Sequence, residues 1–173
     1  NDDREVRCYA LLIEHLTQGA AAPATLAGEV RRNWYAQRDA DDGCTTAADR
    51  LYAARRLSEL DVWRKARLAM DANRPRAARN AVEIVSPESA AALRELADSP
   101  AKYLASKATA AGRTRKELVV LALIKMAGSD PDTAASLLEN KWSVQLTPEE
   151  RNWVWGAIGR QAAMKLSPSA PEY

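Results

Sequence analysis

Phenylalanine is absent from this chain, histidine occurs once, at His15, and cysteine twice, at Cys8 and Cys44. A single imidazole leaves no ligand set for a histidine-rich metal centre and no second histidine for a Ser-His-Asp or Cys-His mechanism. Two cysteines without further histidine or cysteine ligands do not make a structural zinc site. Apolar runs are short, none approaching the roughly 18 residues that cross a bilayer. No charged segment followed by an apolar one lies near Asn1, so a secretion signal is expected only upstream of this sequence. No glycine-rich turn follows a strand pattern, which removes phosphate-binding loops. Neither charge sign dominates: 25 Lys and Arg stand against 23 Asp and Glu, a net +2 that leaves affinity for polyanions undecided. No cofactor or metal is expected, and no carboxylate stands in a context that marks it as a general acid.

What remains is a globular composition, 47% hydrophobic and 28% charged over 173 residues. That length suits one domain able to bury about two-thirds of its unfolded surface. Alanine is about a fifth of the chain and β-branched residues rarely alternate with polar ones, so helix is favoured almost throughout. Proline repeatedly follows a residue able to cap a helix, at Ser86-Pro87, Ser99-Pro100, Asp130-Pro131 and Thr147-Pro148. Capping-box patterns, in which a Glu returns to the N–H of the cap, run from Thr114 to Glu117 and from Thr147 to Glu150. These signals predict helices over Arg4–Thr17, Leu26–Arg38, Thr45–Leu57, Glu59–Met70, Pro75–Val85, Pro87–Asp98, Pro100–Ala105, Arg115–Ala127, Pro131–Glu139 and Pro148–Leu166.

Two apolar stripes at helical spacing are expected to face a core: Tyr9, Leu12, Ile13 and Leu16, and Val120, Leu123, Ile124 and Ala127. The run Leu118–Ile124 is apolar on nearly every side and predicts an inner helix. Short turns make neighbouring helices antiparallel. The four cap-proline starts lie 13, 31 and 17 residues apart, so no fixed repeat emerges. The reading is all-α: an irregular α-superhelix, or solenoid, of about ten short antiparallel helices in a single domain over 1–173, with a compact bundle as the competing arrangement. Beginning at Asn1 and ending in the proline-containing Ser167–Tyr173, the chain is expected to be a piece of a longer protein.

Candidate chemistry is sparse. By spacing alone, Cys8 and Cys44 form either a disulfide around the second helix or two unrelated thiols. His15 shares a helical face with Cys8, but no third group orients the pair, and a partly packed histidine is the plainer reading. From Arg55 to Arg79, eight basic side chains (Arg55, Arg56, Arg64, Lys65, Arg67, Arg74, Arg76, Arg79) face three acidic ones, a local +5. Such a stripe, with Trp63 as a stacking surface, could follow a nucleic-acid backbone, although an ordinary solvated surface explains it as well. Trp142, Trp153 and Trp155 could line a sugar-stacking groove, with core packing as the default.

The stretches Cys44-Thr45-Thr46-Ala47-Ala48-Asp49-Arg50-Leu51 and Trp63-Arg64-Lys65-Ala66-Arg67-Leu68-Ala69-Met70 resemble the helical superhelix of soluble lytic murein transglycosylases. Around them lie a cysteine-bearing first helix, the Ser99-Pro100 turn, the apolar helix after Thr114, and Leu146-Thr147-Pro148-Glu149-Glu150 opening a Trp-rich helix. The resemblance runs from about Cys8 to Leu166. It implies a periplasmic enzyme that cleaves the β-1,4 bond between N-acetylmuramic acid and N-acetylglucosamine without water, forming 1,6-anhydromuramic ends. The family's catalytic glutamate belongs to a separate lysozyme-like domain marked by Glu-Ser and a following Gly-Leu-Met-Gln. Here Glu88-Ser89 is followed by no such run, so Glu88 reads as a helix N-terminal carboxylate and no catalytic residue is assigned. The resemblance further implies a Cys8–Cys44 disulfide, and a basic glycan-facing surface drawn from Arg64, Lys65, Arg67, Arg74, Arg76 and Arg79. Expected partners are peptidoglycan strands and the catalytic domain of the same parent chain, without nucleic acid. A periplasmic helical-repeat adaptor for protein partners is the alternative, and a cytosolic nucleic-acid binder with reduced cysteines is a weaker third reading.

Overall fold

The computed structural model describes residues 2–166; the proline-containing Ser167–Tyr173 segment lies outside them. The described residues are all-helical, with ten α-helices: α1 (Asp2–Gln18), α2 (Leu26–Ala36), α3 (Asp42–Ala53), α4 (Glu59–Asp71), α5 (Pro75–Val85), α6 (Ala90–Asp98), α7 (Pro100–Ala105), α8 (Arg113–Ser129), α9 (Pro131–Leu137) and α10 (Pro148–Leu166). They fall into two compact units, Asn1–Ala90 and Ala91–Tyr173.

In the N-terminal unit α1 packs on α2 and α3, α2 reaches α4, and α4 pairs most extensively with α5. Trp34, Trp63, Leu11, Leu26 and Leu51 fill the interior, with alanines such as Ala47, Ala48, Ala66 and Ala78 allowing helix axes to approach closely. Asp41 caps α3 by accepting the Cys44 N–H at 2.7 Å. Ser58 and Asp61 form a reciprocal capping box at the start of α4. Helices α3 and α4 both end in Schellman turns. Arg56 N–H reaches Leu51 O at 2.8 Å with Arg55 at φ 61°, and Arg74 N–H reaches Ala69 O at 2.8 Å with Asn73 at φ 58°. Both pivots are the left-handed residues these turns require, here without glycine.

In the C-terminal unit α8 is the inner helix, packed by α7, α9 and α10. Leu118 to Ile124 are all buried, none more than 5% exposed, as their all-round apolar pattern predicts. A π-helical turn, Leu138–Trp142, follows α9 and carries Trp142 into the core. Thr147 and Glu150 exchange the two bonds of a capping box at α10, at 2.8 and 3.2 Å.

Four expectations need correction. Glycine at position 112, φ 82°, turns the chain so that α8 starts at Arg113; Thr114 falls inside the helix, and Glu117 is buried at 1% exposure instead of closing a capping box. Neither Ser86 nor Ser99 caps with its side chain, and Ser86 Oγ bonds Ser89 Oγ at 2.6 Å. Pro87 opens a 3-10 turn, Pro87–Ser89, before α6. The stripe on α1 is turned outward: Tyr9, Ile13 and Leu16 are 43%, 61% and 57% exposed, while Cys8, Leu11 and Leu12 face the interior.

Candidate functional site

Cys8 of α1 and Cys44 of α3 are joined by a disulfide whose Cα atoms lie 4.9 Å apart. The helices meet so closely there that a Cβ on Gly43 would stand 2.9 Å from the Glu5 carbonyl oxygen. Glu5 Oε2 accepts the Gly43 N–H at 3.1 Å, so the disulfide, the glycine and this bond form one seam. His15 is half-buried, and its buried Nδ1 has no hydrogen-bond partner among the described residues. The cysteines are oxidised, contrary to what a cytosolic reading requires.

The basic segment does not form one surface. Lys65 is 2% exposed and Arg67 0%, so neither belongs to a glycan-facing set. Lys65 Nζ donates to Trp34 O at 2.7 Å and to Gln37 O, where it serves as a buried cap on the carbonyl end of α2. Burial pushes this ammonium down to about 8, with Asp41 pulling in the opposite direction. Trp63 is wholly buried, its indole N–H donating to Glu59 Oε2 at 3.0 Å, and offers no stacking face. Arg56 donates to Gly19 O at 2.9 Å and closes the turn after α1. Arg74 is half-buried and pairs through Nε with Asp39 Oδ1 at 2.7 Å. Arg64 and Arg79 are half-buried, and Arg55 and Arg76 exposed. Spacing could not separate these cases, because a buried lysine that satisfies helix-end carbonyls looks in sequence like any surface lysine.

Near α4 a hydroxyl network couples two helices: Tyr35 donates to Asp61 O at 2.6 Å, and Arg31 pairs with Asp61 Oδ1 at 3.2 Å. Burial, reinforced by Asp61, pushes the Tyr35 phenol up to about 12. Two polar concavities open on the N-terminal unit. One, of about 680 Å³, is lined by Tyr52, Arg55, Arg56, Ser58, Glu59 and Asp61. The other, of about 420 Å³, lies where α2 ends and α3 begins and includes Arg4, Glu5, Arg38, Asp39, Asp41 and Arg74. Sequence reasoning overlooked the second because its arginines come from three separate segments.

The tryptophans of the C-terminal unit do not make a common groove. Trp142 is fully buried beneath the Lys141 ammonium, 4.9 Å from its ring centroid, Trp153 is half-buried, and Trp155 is 40% exposed. Glu88 stands exposed in the first turn after Ser86, a helix-end carboxylate as its spacing predicts. Among the described residues no cluster of three or more His, Cys, Asp or Glu side chains could hold a metal ion, and no helix is long and apolar enough to cross a membrane. No family model, curated protein or solved structure matches the chain.

Proposed function

We propose that this chain is a noncatalytic superhelical segment of a periplasmic lytic murein transglycosylase. It would scaffold an enzyme of cell-wall turnover that cleaves peptidoglycan to 1,6-anhydromuramic ends, and would help hold glycan strands. The observation that carries the reading is the Cys8–Cys44 disulfide. It is the pairing that the family resemblance implies, and such bonds persist in oxidising compartments. The all-helical fold supports the same reading. With Lys65 and Arg67 inside, the glycan-facing role passes to Arg64, Arg74, Arg76 and Arg79. One observation favours the rival adaptor: Val6, Tyr9, Ile13 and Leu16 expose a continuous apolar face on α1, of the kind protein partners cover.

The test is co-sedimentation of the 173-residue chain with insoluble murein sacculi. Recovery in the pellet at low salt, reduced by Arg76→Ala with Arg79→Ala, is the expected result. A chain left entirely in the supernatant overturns the glycan-binding role. The parent coding sequence beyond Tyr173 tests the scaffold role: Glu-Ser followed by Gly-Leu-Met-Gln is expected, and a stop codon or unrelated sequence would leave the adaptor.

A further inference from the structure

The 420 Å³ concavity of the N-terminal unit lies within the usual size range of small-molecule sites, roughly 300–1,000 Å³. Its formal charges cancel, three arginines against three carboxylates, but their partners do not. Every carboxylate already holds a protein donor. Glu5 accepts from Gly43 N–H at 3.1 Å, Asp41 from Cys44 N–H at 2.7 Å, and Asp39 from Arg74 Nε at 2.7 Å. The guanidinium groups of Arg4 and Arg38, by contrast, have no partner among the described residues. The carbonyl end of α2, which would repel an anion, is occupied by Lys65. An incoming anion thus meets two guanidinium groups without a partner among the described residues, with Asp39 paired to Arg74, while Glu5 and Asp41 keep their charge and each accept one backbone N–H. The disulfide and the close approach at Gly43 hold the backbone of the Arg4 segment against the start of α3.

We propose that this concavity binds a carboxylate, with Arg4 and Arg38 gripping the anion and Arg74, locked by Asp39, forming its wall. A guanidinium matches the planar edge of a carboxylate, as it does a phosphate, with two parallel hydrogen bonds, which the compact point charge of a lysine does not provide. The identity of the ligand rests on the murein reading above: the carboxylate is one that murein carries, either the lactyl group of unsubstituted muramic acid or an acid of the stem peptide. N-acetylglucosamine, which has neither, is the neutral reference.

The experiment is calorimetric titration of the 173-residue chain at low ionic strength with N-acetylmuramic acid, a disaccharide tetrapeptide from digested murein, and N-acetylglucosamine. At least one acidic ligand is expected to bind ten or more times tighter than N-acetylglucosamine. Preference between the two acidic ligands assigns the source of the carboxylate. Arg4→Gln with Arg38→Gln should weaken that ligand at least tenfold and leave the melting temperature unchanged, since both side chains are exposed. Acidic ligands that bind no better than N-acetylglucosamine, or a double variant that binds like the parent, overturn the proposal. Sacculus sedimentation separates the two claims. If the chain pellets with sacculi but ignores soluble acids, the site fails and the murein reading stands. If it takes the acids but never pellets, the carboxylate site stands and the murein reading fails.

Discussion

Replacing Cys8 and Cys44 together by alanine removes the constraint that ties α1 to α3, and the structure sets the size of the effect. The cysteines are 36 residues apart, so their bond closes a loop whose release should cost roughly 4 kcal/mol in the chain-entropy account. Both side chains are fully buried, and the smaller alanines add a packing loss of about 1 kcal/mol. For a unit of this size each kcal/mol moves the melting temperature by about 4–8 °C, which places the expected fall on the order of 20 °C or more. Thermal melts followed by far-ultraviolet circular dichroism, comparing the oxidised chain with the double-alanine variant, measure it. Limited proteolysis should then cut first in the segment following α1. A fall below about 5 °C would refute the reasoning, because it would mean that Leu11, Leu12 and the Gly43 seam hold α1 without help from loop closure.

Further outcomes follow from other positions. Gly43→Ala should destabilise by about 2 kcal/mol or more, because the added methyl meets the Glu5 backbone and α1 must shift; denaturant unfolding measures it. Asn73→Gly and Arg55→Gly should each stabilise by roughly 0.5–1 kcal/mol in the same assay, since both positions sit in left-handed turns that glycine adopts freely. Lys65 titrates near 8 in the folded chain and near 10.5 when unfolded, so the unfolded state holds more protons between those values and stability rises with pH across that window, by on the order of 3 kcal/mol. Lys65→Met should abolish that rise and destabilise the chain at pH 7, because the Trp34 and Gln37 carbonyls lose their donor. Above pH 10 the trend should reverse, since unfolding frees Tyr35 to ionise while the folded phenol keeps its proton to about 12.

How much of this was legible differs from element to element. Proline after a capping residue marked true starts at Pro100, Pro131 and Pro148, because a missing N–H and a fixed φ are local facts that need no tertiary partner. The Thr114 pattern failed because Gly112 offered a competing local geometry, and Glu117 went to the core instead. At α4 the Ser58-to-Asp61 spacing carries the capping signal with Asp in place of Glu, and a wider pattern would have found it. Periodicity announced that α1 has apolar faces without saying which one is covered; Tyr9, Ile13 and Leu16 proved to be on the outside. The charged segment was the least readable. Whether an ammonium points to water or onto the two carbonyls at the end of α2 depends on where α2 ends relative to α4, a distance that no local pattern encodes.

The sequestered amine of Lys65 can also serve as a clock. At 2% exposure it can react with an amine-acylating reagent only when the N-terminal unit opens, whereas Lys107 is exposed and reacts from the native state. The ratio of the two labelling rates, read by mass spectrometry, therefore reports the free energy of local opening around α2 and α4 under native conditions, without denaturant and without a mutation.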